Sequence, residues 1–427
     1  MNLFDELKWR GLVFDATEGL ADAFATERVT AYIGFDPTAS SLHIGNLLGL
    51  VTLARLQRYG HSPIAIAGGG TGMIGDPSGK SQERRLLSPD QINQHLDSIK
   101  PQLAQLLDFD RPDNPARVVN NADWLASLDL LGFLRDTGKH FTVNYMLQKE
   151  SVNRRLESAD GISYTEFSYL LLQARDFLEL FDRFGCTLQM GGSDQWGNIT
   201  AGIELIRKVR GKKAHGLVTP LVTTASGAKF GKSEGDAIWL DPSRTLRSEF
   251  RNFWLNTDDR DVIAYLKYFT FLTRDEIADL EAQVRSAPEK REAQRVLAAS
   301  VTALVHGADD ATRAESANAV LFGTATGGSV DDARLADSLL AIAADVPSTT
   351  MAVADFDGDG LGVVDFVSRA IAASKSEARR LVQQGGVSVN DRKIADPNAR
   401  LTRGDAIDGR VFLLRKGARQ RFVIRLT

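Results

Sequence analysis

The stretch from Val29 to Asn46 constrains this chain most. Residues 29–35, Val29-Thr30-Ala31-Tyr32-Ile33-Gly34-Phe35, carry the β-branched and aromatic content of a short buried strand. Pro37 cannot donate to a ladder and closes it. Ser40 and Ser41, both good helix caps, come before Leu47, Leu50, Leu53 and Leu56 at helical spacing. The spacing predicts a helix over 42–59 with His43 in its first turn. Free backbone N–H groups and the helix dipole favour a phosphate there, and Thr38 adds a hydroxyl on the approach. The same residues also describe a capped helix with a surface histidine, so the stretch does not decide its own function.

The rest of the chain extends the pattern. Strands are expected over 62–67, 117–121 and 185–190, and helices over 12–26, 91–107, 164–184 and 198–210. Short buried strands alternating with helices predict an α/β fold with a doubly wound, Rossmann-like parallel sheet, whose ligands sit at the carboxyl ends of its strands. After residue 243 the strand signals give way to charged helices over 259–269, 274–286 and 289–305. The expected organisation is a catalytic nucleotide-binding domain over 1–242, a helical domain over 243–322, a linker with one helix over 323–360, and a small α+β domain over 361–427.

Charge separates the last of these from the rest. Of 51 basic and 55 acidic residues, 14 and 6 fall in 361–427, net +8, leaving 37 and 49, net -12, before it. A basic end on an acidic body suggests that this end meets a polyanion. Cys186 is the only cysteine, which excludes an intramolecular disulfide and a cysteine-based zinc site. No apolar run is long enough to span a membrane and the first ten residues lack a signal-peptide core, so a cytoplasmic protein is expected.

Several segments carry chemistry. Lys229-Phe230-Gly231-Lys232-Ser233 sets two ammonium groups three residues apart among glycines, so the loop over 226–236 suits the charge growing on a leaving pyrophosphate. Alone it is equally a solvated basic loop. The glycine-rich run from Gly68 carries Asp76, able to pair an ammonium, and Lys80 and Arg84, able to meet phosphate. Gly70-x-Gly72-x-x-Gly75 formally matches a dinucleotide fingerprint, but Asp76-Pro77 follows at once and no suitably placed acidic residue ends a following strand, so a nicotinamide cofactor is rejected. Gly79-Lys80-Ser81 resembles the end of a P-loop, yet Ile74 stands where that motif needs glycine. Asp355-x-Asp357-x-Asp359-Gly360 begins like a calcium loop, but Phe366 holds the closing position. No metal-ligating set is expected.

On the 164–184 helix, Tyr169, Gln173 and Asp176 share one face among leucines and phenylalanines. That stripe is either a solvent face or a buried recognition strip whose polar groups need partners. Gly191-Gly192-Ser193-Asp194-Gln195 follows a strand, so backbone at Gly192 can approach a ligand closely while Asp194 and Gln195 reach its hydroxyl and carboxylate groups. Near the end, Ser374 caps a basic helix with Lys375, Arg379 and Arg380 placed to meet phosphates, followed by a Gly385-Gly386 turn and a strand.

The two ATP-handling strings, in this order and context, resemble the signatures of class I aminoacyl-tRNA synthetases. The closing segment resembles the S4-type RNA-binding domain. Taken together over nearly the whole length, the chain resembles bacterial-type tyrosyl-tRNA synthetases. That resemblance implies activation of L-tyrosine on ATP, with Mg²⁺ bound to the phosphates, then transfer to tRNA(Tyr), in a homodimer. It assigns the substrate phenol to Tyr32 and Asp176, and the α-ammonium to Asp76, Tyr169 and Gln173. It assigns the γ-phosphate to Thr38 and His43, and the pyrophosphate to Lys80, Arg84, Lys229 and Lys232. Gly34, Asp36, Asn46, Gly192 and Asp194 fall in its ATP site, Gln195 lies near the reacting carboxylate, and the apolar stretch 128–146 is a candidate subunit contact. Asn46 departs from the histidine usual at the end of the first signature, and Gly49 stands where relatives carry a hydroxyl. A tryptophanyl enzyme, a small-molecule adenylating enzyme and a non-enzymatic RNA-binding relative share parts of the pattern and stay open on the residues alone.

Overall fold

A computed structural model describes residues 2–78, 87–157, 161–225, 230–233, 236–322, 332–371, 373–417 and 420–427, without the side chains of Lys232, Ser233 and Asp236. The chain forms two compact units: Met1–Asp241 with Asn256–Val305, and Pro242–Leu255 with His306–Thr427.

The first unit is built on six strands: β1 (Asp15–Ala16), β2 (Thr30–Phe35), β3 (Ser62–Ala67), β4 (Arg117–Asn120), β5 (Leu188–Gly192) and β6 (His215–Thr219). Their order is β1-β6-β5-β2-β3-β4. All neighbours are parallel except β1, which runs antiparallel to β6. This is the expected doubly wound sheet. The strand order reverses at the β2–β5 pair, where Tyr32 lies opposite Gln189, and the carboxyl ends flanking such a reversal form the ligand crevice of the fold. Helices cover both faces, so the strands read as nearly continuous apolar runs. The Ile44–Arg58 helix is buried almost all round, with Leu47, Leu50, Leu53 and Leu56 all at 0 % exposure. The Tyr164–Phe184 helix lies over the other region of core, packing Leu170, Leu171, Ala174, Phe177 and Leu178 with Tyr32, Ile64 and Ile66.

Two local expectations are corrected. Only Leu20–Thr26 of the 12–26 segment is helical. Before it, Phe14 and Thr17 donate backbone N–H groups to Val218 and Gly216 of β6, so a tertiary pairing overrides the helical spacing. His43 is not inside the first turn: it is the N-cap itself, and Ile44 opens the helix.

In the second unit the Arg247–Leu255 and Ala308–Phe322 helices are tied by Arg251 to Glu315 at 2.9 Å. A five-stranded sheet follows, in the order Arg392–Ile394, Val387–Val389, Val411–Lys416, Gln420–Leu426, Ser348–Met351. Its aromatic centre joins Phe356, Phe366 and Phe412. The contacts divide the chain differently from the expected boundaries. The 243–322 stretch is shared between both units. The 323–360 stretch does more than link: the Asp332–Ala341 helix buries Ala336 and Leu339 against Val411, Leu413 and Val423. Ser348–Met351 is a parallel edge strand on Gln420–Leu426. Its Ser-Thr-Thr-Met run has linker-like polarity, but its β-branched threonines suit an edge strand.

Candidate active site

A hydrogen-bonded chain runs along the carboxyl ends of β2, β3 and β4. Tyr169 Oη donates to Asp36 Oδ2 at 3.2 Å, and Thr71 Oγ1 donates to Asp36 Oδ1 at 2.9 Å. Asn121 Nδ2 donates to both Thr71 Oγ1 and Asp176 Oδ2 at 2.9 Å, while its Oδ1 accepts from the Gly70 N–H at 2.7 Å. Trp124 Nε1 donates to Asp176 Oδ1 at 2.7 Å. The turn holding Gly70 comes this close because Gly68 has no side chain: a Cβ there would collide with the Asp36 carboxylate.

Burial dominates the electrostatics of this end. It pushes the Asp176 carboxyl up to about 8, against the lowering effect of the Asn121 and Trp124 donors. Tyr32 is 2 % exposed, and its phenol is raised well above the usual range, first by burial and then by the Asp176 charge. Its Oη finds no hydrogen-bond partner among the described residues. Buried polar groups are ordinarily paired, so such an orphan asks for a ligand.

A second chain lies behind the first. Asp76 accepts from Gln195 Nε2 at 2.7 Å and from the Ser78 N–H at 2.9 Å. Gln195 Oε1 accepts from Gln173 Nε2 at 3.3 Å and from Asn198 Nδ2 at 3.2 Å. Gln173 Oε1 is buried without a partner among the described residues. Among the described residues, the partners of Asp76 and Asp176 are the neutral donors Gln195, Ser78, Asn121 and Trp124. Asp36, Asp76 and Asp176 all act on the Tyr169 phenol, which is raised well above its usual range first by burial and then by these charges. The Asp36 and Asp76 carboxylates around Tyr169, with the orphan amide oxygen of Gln173 on the same helix, suit an ammonium group.

The nucleotide end is built on the first signature. His43 Nδ1 accepts from the Gly45 N–H at 3.0 Å, and Asn46 Oδ1 accepts from the His43 N–H at 3.1 Å, a reciprocal cap. The Asn46 amide oxygen is therefore engaged in the cap. Thr38 and Gly34 are exposed, and Gly192 and Asp194 lie at the carboxyl end of β5. Lys80, Arg84 and Lys229 fall outside the described residues, as does the side chain of Lys232, whose backbone forms a short pair with Asp236–Ala237. In the second unit, Arg379 and Arg380 are exposed on the Lys375–Gln383 helix, while Lys375 pairs with Asp365 at 2.6 Å.

Sequence reasoning missed Thr71, Asn121, Trp124 and Gln189. Asn121 ends an expected strand, the position where ligand-facing groups occur, and Gln189 is a polar residue in an apolar strand whose Oε1 has no partner among the described residues. Both signals were present. Trp124 has no local signal, since only the tertiary fold brings it to Asp176.

A histidine-capped helix after the first parallel strand of a doubly wound sheet, with a cluster of largely buried carboxylates at the strand ends beside it, is the architecture of the catalytic unit of a class I aminoacyl-tRNA synthetase. Residues 25–323 match the family of class I tRNA synthetases for tryptophan and tyrosine, and residues 339–424 match the C-terminal domain of SYY-like tyrosine–tRNA ligases. The chain is 56 % identical over 425 residues to the tyrosine–tRNA ligase of Roseiflexus castenholzii, covering 99 % of each. It is 50 % identical over 431 residues to that of Geobacillus stearothermophilus, covering 100 % of each. A truncated mitochondrial tyrosyl-tRNA synthetase of Aspergillus nidulans superposes with a TM-score of 0.67 at 32 % identity, over 73 % of this chain and 92 % of that one. The chain belongs to the tyrosine–tRNA ligase family.

Proposed function

We propose that this chain activates L-tyrosine on ATP and transfers it to tRNA(Tyr), with the residues above in the following roles. The carrying observation is the buried Tyr32 hydroxyl, without a partner among the described residues, beside an Asp176 carboxylate fixed by two donors. A substrate phenol donates to Asp176 and accepts from Tyr32. A phenylalanine ring would leave both groups stranded, which is the physical basis for selectivity. The α-ammonium sits among Asp76, Tyr169 and the Gln173 carbonyl oxygen. Gln195 releases Asp76 to reach the substrate carboxylate.

ATP lies over Gly34, Asp36 and the first signature, with Asp194 and the backbone at Gly192 toward its ribose. Asn46 holds the His43 cap. The carboxylate attacks the α-phosphorus in line. Thr38 and His43 donate to the γ-phosphate as negative charge grows on the departing pyrophosphate, and Lys80, Arg84, Lys229 and Lys232 stabilise that charge. No protein nucleophile is required; positioning and electrostatics supply the rate. Among the described residues no three His, Cys, Asp or Glu side chains converge on a metal position, so Mg²⁺ would be held chiefly by the phosphates, where it neutralises charge. Lys375, Arg379 and Arg380 meet the tRNA backbone. The protein works as a cytoplasmic homodimer, joined through the 128–146 stretch, where Leu130 and Leu131 are 71 % and 76 % exposed.

Pyrophosphate exchange with tyrosine, tryptophan and phenylalanine in turn tests the assignment. Exchange with tyrosine alone is expected. Exchange supported by tryptophan, or by none of the three, would overturn it.

A further inference from the structure

We infer that Trp239 is a positioning residue that fixes the His43 imidazole as a neutral hydrogen-bond donor through Nε2. The assignment rests on the reading of His43 as a phosphate ligand given above. Residues 238–240 leave the lysine-bearing loop and pair with the first signature. Ile44 N–H donates to the Ile238 carbonyl at 3.0 Å, and Leu240 N–H donates to the Leu42 carbonyl at 2.8 Å. Those two bonds flank His43 and Trp239, an antiparallel bridge. The pair therefore occupies a non-hydrogen-bonded position of the ladder, where opposed side chains approach most closely. The two rings meet edge to face, with centroids 5.9 Å apart and planes at 61°.

The other side of the imidazole is fixed by backbone. A Cβ at Gly45 would lie 2.7 Å from His43 Cε1 and 2.8 Å from Nδ1, so the ring rests on residue 45 only because that residue is glycine. From there the Gly45 N–H donates to Nδ1. A backbone N–H can only donate, so Nδ1 accepts and the ring proton resides on Nε2. Gly45 thus selects the tautomer, and Trp239 opposes rotation of the ring away from it. A third bond, from Ile238 N–H to the Gly231 carbonyl at 3.1 Å, joins this bridge to the second signature. One indole therefore sits where the two ATP-handling strings are tied together. Residues 42–45, 231 and 238–240 all fall in the Met1–Asp241 segment of the first compact unit, so the whole device lies within that unit.

A double-mutant cycle with Trp239→Ala and His43→Ala in the full-length chain tests this. Single-turnover adenylate formation is the rate readout, and tyrosine affinity by equilibrium dialysis is the control. Small misplacements of a group that acts in the transition state slow reactions strongly. Trp239→Ala is expected to slow adenylate formation roughly tenfold to a hundredfold, leaving tyrosine affinity within about twofold. Trp239→Phe, which keeps a ring edge, restores most of the rate. In the His43→Ala background the Trp239→Ala change adds little, because the ring it positions is gone. Should Trp239→Ala fail to fold, Trp239→Leu, which keeps apolar volume without a ring, runs the same cycle. A parental rate in Trp239→Ala or Trp239→Leu, or additive losses in the double variant, overturns the assignment and leaves the role of His43 standing. A parental rate in His43→Ala overturns both.

Discussion

The Trp124 indole N–H donates to Asp176 Oδ1 at 2.7 Å, across 52 residues of sequence. With Asn121 on the other oxygen, both oxygens of the carboxylate proposed to read the substrate phenol are fixed. Trp124→Phe keeps the ring and removes the donor. Leaving a buried acceptor without its donor costs about 1–3 kcal/mol, so tyrosine binding should weaken by roughly fivefold to a hundredfold. Equilibrium dialysis measures it, with the thermal midpoint as a control for folding. An unchanged affinity would show that the indole packs without orienting Asp176.

The same carboxyl gives a pH dependence. Burial holds Asp176 at about 8 in the folded chain, above the ordinary 3.8. Between those values the native state binds the proton that the unfolded state has released, so stability falls as pH rises. The contribution is fully present below about 4 and is lost by the time pH passes about 8. Asp176→Asn cannot ionise and removes this slope. Urea midpoints at pH 5 and pH 8.5, without tyrosine, should differ less in the variant than in the parent. An equal or larger difference would mean that Asp176 is ionised in the empty site.

The contrast between Tyr169 and Trp124 shows where the sequence is sufficient. Tyr169, Gln173 and Asp176 share a face because the Tyr164–Phe184 helix has a strong apolar stripe, a Ser163 cap and a terminating Gly185 at φ 61°, all local signals that set its two ends where they were expected. Asp36 and Gln195 follow strands whose apolar content is equally plain. Trp124, Thr71 and Asn121 matter only because the sheet brings the ends of β3 and β4 beside that helix, and no spacing in the chain encodes this. The His43 cap is a different failure. Histidine is not among the favoured capping residues, and here its imidazole takes the role because Gly45 and Asn46 stand two and three positions on. The Ser348–Met351 strand was hidden by its polarity, since its partner lies more than seventy residues away.

That hidden strand changes how the chain can be cut. A chain ending at residue 360 would keep the Asp332–Ala341 helix and the Ser348–Met351 strand but lose Val411, Leu413 and Val423, against which the helix is buried, and the Gln420–Leu426 strand that pairs with Ser348–Met351. It would expose apolar surface and an unpaired edge, a recipe for association. A chain ending at residue 322 lacks both elements and, of that buried cluster, exposes only Ala317 and Leu321 with the adjoining Val320 on its last helix. Expected is a soluble 1–322 protein that forms tyrosyl-adenylate and does not charge tRNA, beside an aggregating 1–360 protein. Gel filtration and paired exchange and charging assays decide it. A well-behaved 1–360 monomer or dimer would show that the helix and strand are not held by the final sheet.

The proposed homodimer makes the last prediction. The Leu130–Asp136 helix, capped by Asp129, contains no buried residue, yet begins with two leucines that are 71 % and 76 % exposed. Val143, 60 % exposed, lies on the same stretch. Burying such a side chain fully is worth about 1.5–3 kcal/mol, so these leucines are strong candidates for the centre of a contact between two copies. Leu130→Glu with Leu131→Glu introduces two charges that a buried interface cannot solvate. The parent should sediment as a dimer at micromolar concentration and the double variant as a monomer with unchanged helix content. Two outcomes count against this surface: a monomeric parent, or a double variant that remains dimeric. The first removes the homodimer altogether, and the second moves the contact elsewhere on the chain.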